Sequence, residues 1–353
     1  MNGGFKYEVG MFGGSFDPLH QGHLNVIYLA ASECRELFLV LSYSPNRDSV
    51  GYRTRAKWLY LAIRHLDNVR ILLLEDDCKS KEEYNTSEHW AAGAQQVKEQ
   101  VGKRIDVVYC GSDHAAANEY ARVYPDSEIK FVDRAEIAVS STEIRKSPCR
   151  FWNFLPEFVR PQYVRKVLIV GSESTGKSVM ARTLANLYNT ICVEEYGRTV
   201  CEACGGEAFM SEGDFEEVLY RHKVEILEAA KRANKVLFVD TDALTTYYFW
   251  KLGSSVPSDG SILSNFSVVR KIAGQYDLVL YLDADVPFVA DSVRVQSRSV
   301  ADTRAAMNAE LKDIYRQSVA EGLFKVISGD YANRLVEAKR LVDNLIERSA
   351  RVQ

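Results

Sequence analysis

Gly171-Ser172-Glu173-Ser174-Thr175-Gly176-Lys177-Ser178 fits the pattern G-x4-G-K-[ST] at every position. Such a loop turns successive backbone N–H groups toward phosphate oxygens and adds one lysine charge. The flanks decide whether the octet is real. Residues 166–170 (Lys-Val-Leu-Ile-Val) are apolar and short, as a buried strand should be, and residues 179–188 have the amphipathic spacing of a helix. Strand, glycine loop and helix together predict a parallel α/β domain beginning near residue 166. A full domain's length of chain precedes it.

That preceding stretch has its own phosphate-handling signature. Residues 7–12 read as a first strand and end in Gly13-Gly14-Ser15-Phe16-Asp17-Pro18-Leu19-His20-Gln21-Gly22-His23. The glycines admit close backbone approach to a phosphate. His20 and His23 stand three apart where a helix over 22–34 begins, near a terminus that favours anions. Two imidazoles beside the α-phosphate of ATP can donate hydrogen bonds to charge developing on phosphoryl oxygens. No covalent intermediate is required. Residues 140–145 (Ser-Ser-Thr-Glu-Ile-Arg) form a second element. Ser141 and Thr142 can cap a helix, and Arg145 stands one turn on; the likeness of this element to the distal signature of nucleotidyltransferases implies that they face the ATP phosphates and the departing pyrophosphate.

Further runs of strand length lie at 36–42, 69–74, 105–110 and 128–132, with helices at 53–65 and 87–101. In the second half, strands are read at 166–170, 190–193, 236–239, 278–282 and 324–327, and helices at 212–233, 301–321 and 331–348. The boundaries are 1–147 for a first domain, 148–165 for an ordered connector and 166–353 for a second domain. The connector holds three prolines and the aromatic residues Phe151, Trp152 and Phe154, unlike a Gly/Ser-rich flexible linker. Residues 254–264 read as a polar surface loop.

Within the second domain, Gly171, Ser174, Thr175 and Gly176 are expected to cradle the β-phosphate. Lys177 should meet the β/γ oxygens, and Ser178 should meet Mg2+. Asp240 ends an apolar strand as the matching carboxylate on the metal, and Asp242 is read as a substrate contact. Glu195, in Glu194-Glu195-Tyr196-Gly197-Arg198, is read as general base by position, with Tyr196 and Arg198 on the substrate. Arg294, with Arg298 and Arg304, fits a mobile basic lid or a charged helix face.

The combination resembles the bifunctional nicotinamide-mononucleotide adenylyltransferase/ribosylnicotinamide kinase family. The motifs that carry the likeness are 13–23, 140–145, Arg150-Phe151-Trp152-Asn153-Phe154, 171–178, 195–198, 240–242 and 289–294. The resemblance implies a Rossmann-like nucleotidyltransferase domain followed by a P-loop kinase domain, both with mainly parallel sheets. It implies ATP at both sites and Mg2+ as cofactor. The partners it implies are nicotinamide riboside, nicotinamide mononucleotide (NMN), ATP and NAD. It places Gly13, Gly14, Ser15, Phe16, His20, His23, Asp113, Ser141, Thr142 and Arg145 on the adenylyltransferase ATP. It places Arg53 or Arg55 on the mononucleotide 5′-phosphate and Trp58 on nicotinamide. His65, His89 and His114 read as structural. Some family members carry an N-terminal helix-turn-helix; here the first strand begins near residue 7, so none is expected.

The net charge of −4 gives no basic field for nucleic acid, and no apolar run reaches membrane-spanning length. No signal-peptide pattern opens the chain, so a cytoplasmic protein is expected. Seven irregularly spaced cysteines argue for reduced thiols, and Cys201-x-x-Cys204 lacks the partners of a four-ligand zinc site. A homo-oligomeric state stays open. Two alternatives also stay open: another phosphorylated acceptor, such as pantetheine phosphate, with a different nucleoside for the kinase, or a nucleotide sensor with little turnover.

Overall fold

The computed structural model describes residues 4–46, 48–111, 114–132, 139–253, 260–288 and 301–347. Its contacts divide the chain into two units, one ending at Arg160 and one beginning at Pro161. The connector is therefore split. Trp152 is buried, with the Arg160 guanidinium 5.7 Å from its ring centre, so its aromatic part packs with the first unit.

The first unit alternates strands and helices: β1 (Tyr7–Gly14), α1 (Gln21–Glu33), β2 (Cys34–Tyr43), α2 (Tyr52–Ile63), β3 (Val69–Glu75), α3 (Lys81–Tyr84), α4 (Ser87–Val101), β4 (Val107–Cys110), α5 (His114–Val123), β5 (Glu128–Phe131) and α6 (Ser141–Lys146). Five parallel strands lie in the order β3-β2-β1-β4-β5. Leu37, Leu39 and Leu41 are fully buried, and so are Val107, Val108 and Tyr109, as expected of strands covered on both faces. The order reverses between β1 and β4. A crevice therefore opens beyond the carboxyl end of β1, where the glycine turn stands.

The second unit repeats the principle with a different order. It contains β6 (Arg165–Val170), α7 (Lys177–Leu187), β7 (Cys192–Val193), α8 (Tyr196–Ala203), α9 (Glu212–Ala230), β8 (Val236–Asp240), α10 (Ala243–Gly253), α11 (Phe266–Ala273), β9 (Leu278–Leu282), α12 (Ala301–Ser318), β10 (Phe324–Ile327) and α13 (Tyr331–Glu347). The sheet is again parallel, ordered β10-β9-β6-β8-β7. Its switch point lies at β6, whose carboxyl end is the P-loop. Val167, Ile169, Met180, Leu184, Phe238 and Leu280 form the core between the sheet and α7.

Most sequence-read elements appear within about two residues at their ends, and β9 and β10 match residue for residue. α5, α8, α10 and α11 were not read from the sequence. Within 254–264, residues 254–259 fall outside the described residues and Ile262–Ser264 forms a 3-10 turn.

Candidate active sites

In the first unit the glycine turn is built tightly. A Cβ on Gly13 would lie 2.6 Å from the Tyr120 hydroxyl. Ser15 is exposed, and Phe16, at φ 49°, is fully buried with its ring edge toward His23, 5.1 Å between centres. His20 is the N-cap of α1, and its Nδ1 accepts from the Gly22 amide at 3.1 Å. An accepting Nδ1 leaves the proton on Nε2, so the ring presents a donor. The His20 and His23 rings stack at 3.8 Å and are only 1% and 9% exposed.

The distal motif reaches the same turn. Ser140 caps α6 reciprocally with Glu143. Ser141 Oγ donates to the Pro18 carbonyl at 3.1 Å, and the Arg145 guanidinium donates to the Asp17 carbonyl and to Thr142 Oγ1. Two motifs over a hundred residues apart are therefore one assembly. Asp17 Oδ2 accepts from Ser49 N and Oγ (3.1 and 2.7 Å), and the fully buried Arg55 joins the Ser15 carbonyl to Asp48. Arg55, one of the two arginines expected at the mononucleotide phosphate, is instead committed to supporting the turn.

A cleft of about 470 Å³ beside the turn is bordered by Gly13, Gly14, Ser42, Tyr84, His89 and Trp90. The stacking assignment is corrected here. Trp58 is 4% exposed and faces the core, because α2 turns its Arg55, Trp58, Leu59 and Ala62 face inward. Trp90, half-buried and edge-on to Tyr120, is the indole at the cleft. Arg53 is exposed at the start of α2, its Nε donating to Tyr52 Oη at 3.4 Å. Asp113 lies outside the described residues.

In the second unit Gly171 must be glycine. At φ 154° a Cβ would lie 2.4 Å from the Leu282 carbonyl oxygen. Ser174 at φ 58° and Gly176 at φ 86° complete the loop's curvature. Lys177 Nζ and Thr175 Oγ1 both donate to the Ser172 carbonyl, at 3.0 and 2.9 Å. Two arginines from distant helices buttress the loop. Arg334, 2% exposed on α13, donates to the Thr175 carbonyl at 2.9 Å, and Arg304 on α12 donates to the Ser174 carbonyl at 3.3 Å. Arg304 thus sits on the loop; Arg294 and Arg298 fall outside the described residues.

Asp240 is buried at the end of β8, with Ser178 near enough to favour its charged form. Burial, then the Glu195 charge, pushes its carboxyl up to about 6, while Lys177 and Ser178 pull it down. Its Oδ1 has no hydrogen-bond partner among the described residues. A buried, underused carboxylate beside a P-loop serine suits a divalent cation.

Lys177, Glu195, Arg198, His222 and Thr245 are among the residues lining a cleft of about 800 Å³. Glu194 turns outward to Arg182 at 2.8 Å, leaving Glu195 to the cleft. His222 was not anticipated. Burial pushes it down to about 4, with Glu195 opposing, so it is neutral at neutral pH.

Two substrate assignments are corrected. Tyr196 points its hydroxyl at Glu217 (3.4 Å) and its ring at Arg221, on α9. Asp242 is buried 1% exposed beneath Tyr315, whose hydroxyl donates to it, and Leu244 N donates to it at 3.0 Å. The carboxylate after Thr241 anchors α10 from inside the core.

Comparisons with known proteins follow the same division. The cytidylyltransferase-like family matches residues 11–147 and an AAA domain matches 166–334. Over 97% of its length the chain is 30% identical to the trifunctional NAD biosynthesis/regulator protein NadR of Escherichia coli (strain K12), spanning 84% of that protein. It is 29% identical to the Salmonella typhimurium protein of the same name, over 96% of this chain and 83% of that one. The structure of a NadR protein in complex with NR superposes with TM-score 0.79 at 21% identity, covering 99% of this chain and 98% of that one. Phosphopantetheine adenylyltransferases of Streptococcus pneumoniae match only 20% of the chain at 31% identity. A relation that runs unbroken through both units, at this identity, is decisive: the chain belongs to the NadR family of NAD biosynthesis/regulator proteins.

Proposed function

We infer that the two units catalyse consecutive steps, the product of the second unit being the substrate of the first. The chain is a ribosylnicotinamide kinase and a nicotinamide-nucleotide adenylyltransferase. The observation that carries the reading is the whole-length relation to NadR proteins, on a chain whose two phosphate turns both stand at sheet switch points. NadR structures with NR, and with NAD and AMP-PNP, support these ligands.

In the kinase step the 5′-hydroxyl oxygen of nicotinamide riboside attacks the γ-phosphorus of ATP and ADP leaves. Glu195 accepts the hydroxyl proton. Lys177 and the amides of 171–176 hold the phosphates, and Arg198 and His222 face the acceptor. Ser178 and Asp240 fit Mg2+, which would neutralise phosphate charge when bound. In the second step an NMN phosphate oxygen attacks the α-phosphorus of a second ATP and pyrophosphate leaves. His20 and His23 donate to the α-phosphoryl oxygens; Ser141, Thr142 and Arg145 hold the leaving pyrophosphate. Gly13 and Gly14 admit the nucleotide, Arg53 meets the NMN phosphate and Trp90 borders the nicotinamide.

Lys177→Ala tests the division of labour. It should abolish NMN formation from the riboside and leave NAD formation from added NMN within about twofold, because the residue sits in one unit only. Loss of both activities in a folded protein would refute two separate sites.

A further inference from the structure

The β3–α4 connection carries a cluster with no assigned role in either transfer, although His89 also borders the cleft beside the glycine turn. Asp76, Cys78 and His89 offer a carboxylate oxygen, a thiol sulfur and an imidazole nitrogen, all within 4.8 Å of one another. Among the described residues no other group of three such ligands comes together. Cys78 Sγ lies 3.4 Å from His89 Nδ1 and 3.6 Å from Nε2. A tetrahedral zinc ion, with Zn–S and Zn–N bonds of about 2.3 and 2.0 Å, separates such donors by about 3.5 Å. Near-equal distances mean that neither nitrogen points straight at the sulfur, and a rotation about the broad χ2 torsion of His89 aims one of them at an ion held by Sγ.

The cluster is anchored from the sheet side. Asp76 accepts from Ser42 Oγ at 3.2 Å and from the Cys78 amide at 3.1 Å, and its own amide donates to the Tyr43 carbonyl at 2.9 Å. Ser44 Oγ donates to the Cys78 carbonyl at 2.8 Å. Asp76 and Cys78 are buried while His89 is half-buried in the first turn of α4, so an ion has a route in beside the imidazole.

We propose that Asp76, Cys78 and His89 bind one zinc ion, with water as fourth ligand. Thiolate and imidazole donors select zinc over magnesium, and three protein ligands make an open site. Binding displaces the Cys78 thiol proton, so it weakens as pH falls. The ion joins the segment that follows β3 to the first turn of α4, the turn that carries Trp90.

The test uses the full chain, stripped with a chelator and titrated with Co2+ in excess Mg2+. One equivalent should raise a thiolate-to-cobalt charge-transfer band that stoichiometric Zn2+ bleaches. Zinc should also raise the melting temperature. Cys78→Ser and His89→Ala should each lose the band and the zinc-dependent rise. The Cys201→Ser/Cys204→Ser pair, which removes the other closely spaced thiols, should keep both. His89 is half-buried, so its variant keeps the test decisive if Cys78→Ser fails to fold. No band in the native chain, or a band that survives in His89→Ala, overturns the proposal.

Discussion

Trp58 and Trp90 carry the same indole into different surroundings. Trp58 fills the core beneath α2, so Trp58→Ala should cost the first unit about 3–5 kcal/mol. Trp90→Ala should raise KM for NMN with a smaller loss of stability. Urea melts and NMN saturation curves separate the two outcomes; a reversed pattern would return Trp58 to the site. The residue types were legible in the sequence, but the face each turns was not, since both tryptophans lie on helices with apolar neighbours. Asp242 teaches the same lesson. Burial pushes its carboxyl from 3.8 up to about 6, with the Tyr315 hydroxyl and the Leu244 and Thr245 amides opposing. Between those values the native state holds more protons than the unfolded one, so this group lowers stability as pH rises. The penalty, on the order of 3 kcal/mol, is fully present above about pH 6. Asp242→Asn should therefore gain stability relative to the native chain at pH 7.5 but not at pH 4. A gain equal at both would show that it does not come from ionising a buried carboxylate.

At the scale of elements, α1 does two things at one residue. His20 caps the helix through Nδ1 and presents Nε2. Asparagine also caps helices, so His20→Asn should leave the melting temperature nearly unchanged. Adenylyl transfer should slow by about 10²-fold, the usual cost of one lost donor to a developing oxyanion. An unchanged rate would make His20 a cap and nothing more. The capping box of α6 was legible from Ser140 and Glu143; its docking onto the Asp17–Pro18 turn was not, because that contact is tertiary. Strands were read well because their apolar runs are short and bounded. α10 escaped because Thr245, Thr246, Tyr247, Tyr248 and Phe249 are residues that favour strands, and packing against α9 and α12 overrides that preference. α8 begins at Tyr196, directly after Glu195, and its eight residues hold Gly197 and Thr199, which weaken a local helix signal.

Across the whole molecule, two parallel sheets use one device: a glycine turn at a switch strand, with polar groups delivered from distant sequence. The sheets differ in order, β3-β2-β1-β4-β5 against β10-β9-β6-β8-β7, so they are not copies of one another. The motifs foretold the turns and the alternation foretold the parallel sheets. Arg304 and Arg334, which hold the P-loop backbone from α12 and α13, lie 130 or more residues beyond it, so nothing local in the sequence ties them to the loop. None of the described helices is long and apolar enough to cross a membrane. Whether both transfers occur on this chain and in sequence is read by following products by mass spectrometry, with purified chain, Mg-ATP and nicotinamide riboside. NMN should appear first and NAD should follow without further enzyme. A chain that makes neither, or makes NMN and then fails to convert either that NMN or added NMN, would contradict the account.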